Sequence, residues 1–310
     1  MNPAWSIVFF TTLAGCAQGL VVALAVSVLS GLEVSDSFLL CSLVAALLLL
    51  LISLASSFLH LGNKRGAWRA VLMWRTSWMS REVIVLPAFI GVVAIWWLSL
   101  ALGVQGSLGS ILPWVCLLLA LALWYCTAMI YACLRFVQEW AHPLTAINYT
   151  LIGLSCGLVL AGALAVLGGE RALLQSVAPW ALALTLAAWI TRMLSLLRNA
   201  GLKPKSTLQS ATGIKAARLV QQSMGMSAGS YNTVEFFHRA SLAGMRHVKL
   251  GFIVLGFALP CALLRWHLAG GSDAALVLAV PLQFIGILAE RWFFFAQARH
   301  PQNLYYQVVS

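Results

Sequence analysis

The sequence predicts an all-α membrane protein with eight transmembrane helices, and three observations lead to this fold class. Hydrophobic residues make up 62% of the 310 residues, charged residues make up 9%, and the mean hydropathy is +0.93. Soluble domains are about 45–50% apolar and about 25% charged. The apolar runs are continuous, as over residues 43–54, whereas outer-membrane barrels alternate apolar and polar residues. A soluble enzyme, a disordered chain and a disulfide-stapled secreted module are therefore excluded.

Eight segments have the roughly 20 mostly apolar residues that a helix needs to cross a bilayer. They are residues 5–30, 38–60, 83–102, 111–134, 145–167, 173–197, 250–268 and 274–296. The first segment has neither a basic flank nor an A-x-A site, so we expect a retained span rather than a cleaved signal peptide. An even number of spans places both termini on the same face, called side A below.

The charge distribution predicts that side A is cytoplasmic. The connections on side B carry two Lys/Arg and four acidic residues, for a net charge of −2. The other 17 Lys/Arg and four acidic residues give side A a net charge of +13, which leaves +11 for the chain. Basic loops stay in the cytoplasm. We therefore expect one transmembrane domain over residues 1–310 with both termini cytoplasmic, and this explanation of the charge requires no nucleic-acid partner.

Two basic loops on side A predict a docking surface for a cytoplasmic partner. Residues 61–81 carry five Lys/Arg and no acid, and residues 198–249 carry eight Lys/Arg. Loops this long are usually functional or disordered. The alternative is charge that sets the topology and also contacts anionic lipid.

A short internal repeat suggests two four-helix halves. The pairs His142-Pro143 and His300-Pro301 recur 158 residues apart with similar neighbours. Chance similarity explains so short a signal equally well.

The chain carries no recognisable catalytic or metal site of its own. All seven cysteines lie in predicted spans and none forms C-x-x-C, so we expect no iron–sulfur cluster or zinc site. A membrane haem needs two facing histidines. His267 is alone on side B, and no histidine pair lies inside two adjacent spans, so we expect no haem. A haem-bearing cytochrome b protein, which would show a Soret band, remains an alternative.

A secondary transporter is the alternative from a different class. Transporters usually keep charges at mid-membrane depth and have paired, broken helices. Spans one, two, five and eight have no charge in their middles, and the prolines form no convincing pair. Transport is therefore less favoured, and solute uptake into liposomes would reveal it.

Polar and aromatic residues collect where span two ends and span three begins. A histidine and a glutamate at a membrane surface can exchange protons with the cytoplasm, and tryptophans form flat apolar walls. Arg69 or Arg81 can hold a headgroup or pair with Glu82. This combination fits a quinone headgroup, and an aromatic belt with snorkelling arginines is the alternative. The candidate residues are His60, Gly62, Trp68, Arg69, Trp78, Arg81 and Glu82.

Three motifs resemble the membrane anchor subunits of the dimethyl sulfoxide reductase type. They are SFLHLG at residues 57–62, AWRA at 67–70 and SWMSRE at 77–82. The resemblance implies an eight-span inner-membrane subunit without haem. It also implies binding of ubiquinone or menaquinone and attachment of a four-cluster ferredoxin-like iron–sulfur subunit and a molybdopterin catalytic subunit. It further implies that His60 and Glu82 bind quinone, although Lys64 replaces the usual proline after the motif.

Two further motifs resemble the anchor subunits of membrane-bound sulfite dehydrogenases that face the cytoplasm. They are RFVQEWAHP at residues 135–143 and ERWFFFAQA at residues 290–298. The predicted cytoplasmic docking face agrees with this resemblance, because dimethyl sulfoxide reductases work on the opposite side. We therefore expect electrons from sulfite to reach the quinone pool through this protein, and the anchor of an S- or N-oxide reductase is the alternative.

Overall fold

The computed structural model describes residues 1–59, 63–104, 106–220 and 240–301. Within these residues, eight helices are long and apolar enough to cross a membrane, so the predicted all-α class and eight spans are confirmed. A 3₁₀ helix (Lys64–Met73) and the five-residue α7 (Leu208–Thr212) lie between spans. The eight long helices are α1 (Trp5–Leu29), α2 (Asp36–Leu59), α3 (Trp78–Ala101), α4 (Ser107–Ala132), α5 (Pro143–Gly168), α6 (Arg171–Ala200), α8 (Leu242–Leu268) and α9 (Ala274–Ala296).

Two helices begin five or more residues earlier than the apolar pattern predicts, because serine caps rather than hydropathy set their starts. Helix α3 begins five residues before position 83, where Ser77 accepts a hydrogen bond from the Ser80 amide at 3.4 Å. Helix α8 begins eight residues before position 250, where Ser241 accepts from the Gly244 amide at 3.0 Å. Such caps satisfy amide groups that the first turn leaves unpaired. The end of the predicted 61–81 loop is consequently helical.

The bundle is organised around α1 and α5, which cross at a glycine contact. Helix α1 is the most deeply buried span. A Cβ atom added to Gly19 would overlap the Gly153 carbonyl, and one added to Gly157 would overlap the backbone of Gly19 and Leu20. Small residues let helix backbones approach closely in a membrane, where van der Waals packing holds helices together. Helices α2 and α4 then pack on α1, α3 packs on α4, and α6 and α9 pack on α5.

A second close contact joins α8 and α9 at a π-helical turn over Val254–Ala258. A Cβ atom added to Gly286 would overlap the backbone of Leu255 and Gly256. Prolines also lie inside α3, α4, α6 and α9. Neighbouring helices make such interruptions tolerable in a membrane.

The contacts at the two ends show which ends of the helices share a face. The Met1 amino group donates to the Ala298 carbonyl at 3.1 Å, so the start of the chain and the end of α9 lie together. At the opposite end, Arg171 donates to Asp273 at 2.5 Å, and Ser35 donates to Glu170. That the first of these faces is cytoplasmic, and that the bundle consists of two halves, remain predictions.

The glycine crossing generates a prediction about stability. Gly157→Ala forces a methyl group into the backbone of α1, and overpacking of this kind costs about 1–3 kcal/mol. We expect the unfolding temperature of the protein in detergent, measured by tryptophan fluorescence, to fall. Gly91→Ala is the matched control, because nothing lies within 4 Å of its added Cβ. Equal unfolding temperatures for the two variants would show that the crossing is not tightly packed.

Candidate functional site

Glu82 is a buried acid close to the side-A end of the bundle. It lies in the second turn of α3 with 7% of its surface exposed, and Thr127 of α4 donates a hydrogen bond to its Oε1 atom. The capped start of α3 places it there, since the helix is already formed four residues before it. Acids inside membrane helices are costly, and by default they mark sites of function.

Arg81 does not pair with Glu82, which corrects one expectation of the candidate site. Consecutive helix residues point in different directions. The Arg81 guanidinium turns back toward the preceding loop, where Nε and Nη2 donate to the Trp74 and Arg75 carbonyls, both at 2.9 Å. It also lies 4.0 Å from the ring centroid of Trp78. Arg81 therefore fixes the loop onto the start of α3.

An aromatic wall stands beside this carboxyl group. Trp78 packs edge-on against Tyr125 of α4, with ring centroids 5.3 Å apart. Tyr125 is 52% exposed on the outer surface of the bundle. The wall is therefore within reach of a flat, apolar molecule that arrives through the lipid.

The other candidate residues are distributed differently from the expectation. Trp68 and Arg69 lie on the 3₁₀ helix and are both exposed, with the Arg69 guanidinium 5.8 Å from the Trp68 ring. His60 and Gly62 lie outside the described residues. The structure thus brings together Trp78, Arg81 and Glu82, and it adds Tyr125 and Thr127.

A second polar site, which the sequence reasoning missed, lies between α6 and α9. The Glu290 carboxylate forms two ion pairs, one from Oε1 to Arg192 Nε and one from Oε2 to Arg291 Nε, each at 2.6 Å. All three side chains are at most 3% exposed. The signal was present in the sequence as an arginine inside the span over 173–197 and a Glu-Arg pair inside the span over 274–296. Charged residues inside membrane spans are rare, and each one indicates a candidate functional site.

Aromatic and polar neighbours complete this ion cluster. The Arg291 guanidinium lies 4.1 Å from the Tyr149 ring centroid, and that of Arg192 lies 5.6 Å from the Phe252 ring centroid. Asn148 donates to Ser195 at 2.7 Å beside them. Cation–π contacts strengthen when the partners are desolvated, so the rings stabilise the buried cations.

A neutral polar layer lies seven residues further from side A on each of α5, α6 and α9. Gln283 donates to Ser155 at 2.7 Å, and Ser155 shares a hydrogen bond with Thr185 at 2.7 Å. Residues seven apart lie on the same face of a helix. A further seven residues on, the positions are apolar or glycine: Gly162, Ala178 and Leu276. The polar column therefore extends from side A only to about the middle of the bundle.

Two cavities lie beside this polar column. The first, called the side-A cavity, has space for about one water molecule and is lined by Asn148, Arg192 and Glu290 among nine residues. Eight of the nine are buried, and Glu139 is half-buried. The second, called the central cavity, has about twice that space and is lined by Gln18, Trp124 and Thr127 among others. Tyr149 and Arg291 line both cavities and so form their shared wall.

The side-A edge of the first cavity is a charged loop between α4 and α5. Arg198 of α6 donates to the Gln138 carbonyl at 3.1 Å and anchors this loop. Burial, assisted by the Arg198 charge, holds the pKa of His142 below its usual range. Burial also lowers the pKa of the Met1 amino group to about 6, although nearby Glu139 opposes that shift. Glu139 lies on this loop and is half-buried in the cavity lining, so it is the acid at the mouth of the cavity.

The ion cluster generates a second prediction. Glu290→Gln leaves two buried guanidinium groups without their shared carboxylate, and breaking a buried ion pair costs about 3–5 kcal/mol. We expect a lower unfolding temperature and a lower yield of folded protein in detergent, measured by size-exclusion chromatography. Glu33→Gln, on an exposed side-B loop, is the control. A Glu290→Gln protein as stable as that control would show that the cluster does not hold the helices.

Comparison with known proteins identifies the family of this chain. The sequence model for the DMSO reductase anchor subunit (DmsC) matches residues 1–296. A sulfite dehydrogenase subunit of Allochromatium vinosum is 42% identical over 336 aligned positions, which cover all of both chains. The resemblance found from the motifs is therefore confirmed. This chain is a multi-span membrane protein that belongs to the DMSO reductase anchor subunit family.

Proposed function

We propose that this protein anchors a cytoplasmic molybdenum and iron–sulfur oxidoreductase to the inner membrane and passes its electrons to quinone. The observation that carries the proposal is the buried carboxyl of Glu82 beside the aromatic wall of Trp78 and Tyr125. An acid and an aromatic surface at a membrane edge are what a quinone headgroup needs, because its oxygens must be protonated while its ring and tail remain in lipid.

In this proposal each residue of the site has a distinct task. Glu82 transfers protons to the quinone oxygens, and Thr127 orients its carboxyl through their hydrogen bond. Trp78 and Tyr125 hold the ring. Arg81 keeps the loop and Trp78 in place through its carbonyl and ring contacts. His60 is the second proton carrier that we expect, on the basis of the family motif.

We further propose that the electrons come from sulfite. This direction rests on the identity with a protein named as a sulfite dehydrogenase subunit. A molybdopterin subunit would convert sulfite and water into sulfate, two protons and two electrons. A four-cluster iron–sulfur subunit would carry the electrons to this chain, where quinone takes up two electrons and two protons and becomes quinol. The anchor of an S- or N-oxide reductase would use the same site in the reverse direction.

The docking face in this proposal is side A. The excess of Lys/Arg on side A supports a cytoplasmic orientation. The buried ion cluster of Arg192, Arg291 and Glu290 supplies only +1 of the net charge counted on side A. Leaving it out does not change the positive charge bias of that side. The exposed 3₁₀ helix offers an apolar surface to the iron–sulfur subunit. Its Trp68 and Leu72 side chains and the following Trp74 are each more than half exposed.

Loss of the acid tests the quinone site. We expect Glu82→Gln, and likewise His60→Ala, to lower sulfite-dependent quinone reduction by roughly a hundredfold or more, because positioned proton transfer contributes about 10²–10⁴. Sulfite-dependent reduction of a soluble dye and the molybdenum and iron content of the purified complex should not change. Glu33→Gln is the matched control on the opposite face. Near-normal quinone reduction in both variants would overturn the site assignment.

The orientation has its own test. A phosphatase reporter fused after Ser310 should be inactive, and a green fluorescent protein fused there should fluoresce, because both results require that the fused segment lie in the cytoplasm. The same pair fused after Glu33, in a side-B loop, should give the opposite result. Phosphatase activity after Ser310 would place the docking face outside and remove the preference for sulfite.

A further inference from the structure

We infer that the side-A cavity and the central cavity hold ordered water molecules that carry protons from Glu139 at the cytoplasmic edge to Glu82. This inference rests on the proposed function, since it supplies the protons for quinone reduction at that site. The route runs from Glu139 through the side-A cavity, past the shared wall of Tyr149 and Arg291, through the central cavity and across Thr127.

Unpaired polar atoms that line the cavities indicate their occupant. Among the described residues, the buried atoms without a hydrogen-bond partner include Gln18 Oε1 and Trp124 Nε1 in the central cavity. They also include Asn148 Oδ1, Arg192 Nη2 and Arg291 Nη1 around the side-A cavity. A buried polar atom left unpaired is costly, and ordered waters are what usually satisfy such groups. Both donors and acceptors are present, as a chain of water molecules requires.

The size of the cavities excludes a larger ligand. Each has space for about one water molecule, whereas binding sites for small organic molecules occupy roughly 300–1,000 Å³. The central cavity is enclosed by α1, α4, α5 and α9, and neither cavity includes the aromatic wall of Trp78 and Tyr125. Quinone therefore binds at the outer wall, and the interior serves water alone.

The charges along the route are balanced. Arg192 and Arg291 face Glu290 and Glu139 around the side-A cavity, so two positive charges meet two negative charges and the cavity does not repel a proton. The hydroxyl groups of Tyr149 and Thr127 can each accept one proton while they donate another. Thr127 already donates to Glu82 and also lines the central cavity, so its remaining lone pairs complete the path.

Gln18→Leu tests the route, because it replaces a polar wall of the central cavity with an apolar one. In the purified complex we expect sulfite-dependent quinone reduction to fall roughly ten- to a hundredfold, near the lower end of what positioned proton transfer contributes. The solvent deuterium isotope effect should rise, because proton delivery becomes rate-limiting. Dye reduction by sulfite should not change. Glu139→Gln, at the half-buried mouth, should show the same two changes and is less prone to folding defects.

Gln283→Leu is the matched control, since it is the same substitution at a buried glutamine of the deeper polar layer, which lies off the route. We expect wild-type turnover and a wild-type isotope effect from it. Equal slowing in Gln18→Leu and Gln283→Leu without a larger isotope effect would indicate a packing defect and overturn the route. Wild-type behaviour of Gln18→Leu, together with inactive Glu82→Gln, would also overturn the route but leave the quinone site intact. If Glu82→Gln also keeps full quinone reduction, both proposals fail.

Discussion

The carboxylate of Glu290 is shared by Arg192 and Arg291, and the packing of α6 against α9 depends on that sharing. In the low-dielectric interior of a membrane bundle, neither arginine can be buried without a counter-charge and hydrogen bonds. Helices α6 and α9 must therefore meet at the height where the Arg192 guanidinium reaches Glu290. Once they do, Tyr149 and Phe252 cover the cations, and the space left over becomes the side-A cavity.

This constraint divides the bundle into two unlike halves along its length. Toward side A, polar groups from five helices surround the cavities and Glu82. Toward side B, the interior is packed with buried apolar residues such as Leu24, Leu43 and Val93, and the glycine crossing of α1 and α5 lies between the two halves. An apolar, closely packed layer offers water no partners, so within the described residues we expect the polar region to exchange water with side A rather than with side B.

The sequence predicts the eight spans well because each is long and apolar, and continuous hydropathy is the dominant constraint on a membrane helix. It also identifies Trp78, Arg81 and Glu82 as neighbours, since they follow one another in the chain. It does not predict Thr127 or Tyr125, because their contacts come from the packing of α4 on α3. The ion cluster was missed because Arg192 and the Glu290-Arg291 pair lie about 100 residues apart, and each lies near the end of its span.

The one-sided polar region has a consequence for energy conservation under the proposed function. Oxidation of sulfite in the cytoplasm releases two protons there, and reduction of quinone at Glu82 takes two protons from the same face. Electrons also enter from that face, so no net charge crosses the apolar layer near side B. The reaction at this protein is then electroneutral, and its free energy is carried onward only as quinol. A complex of this kind feeds the membrane potential through whichever enzyme reoxidises that quinol.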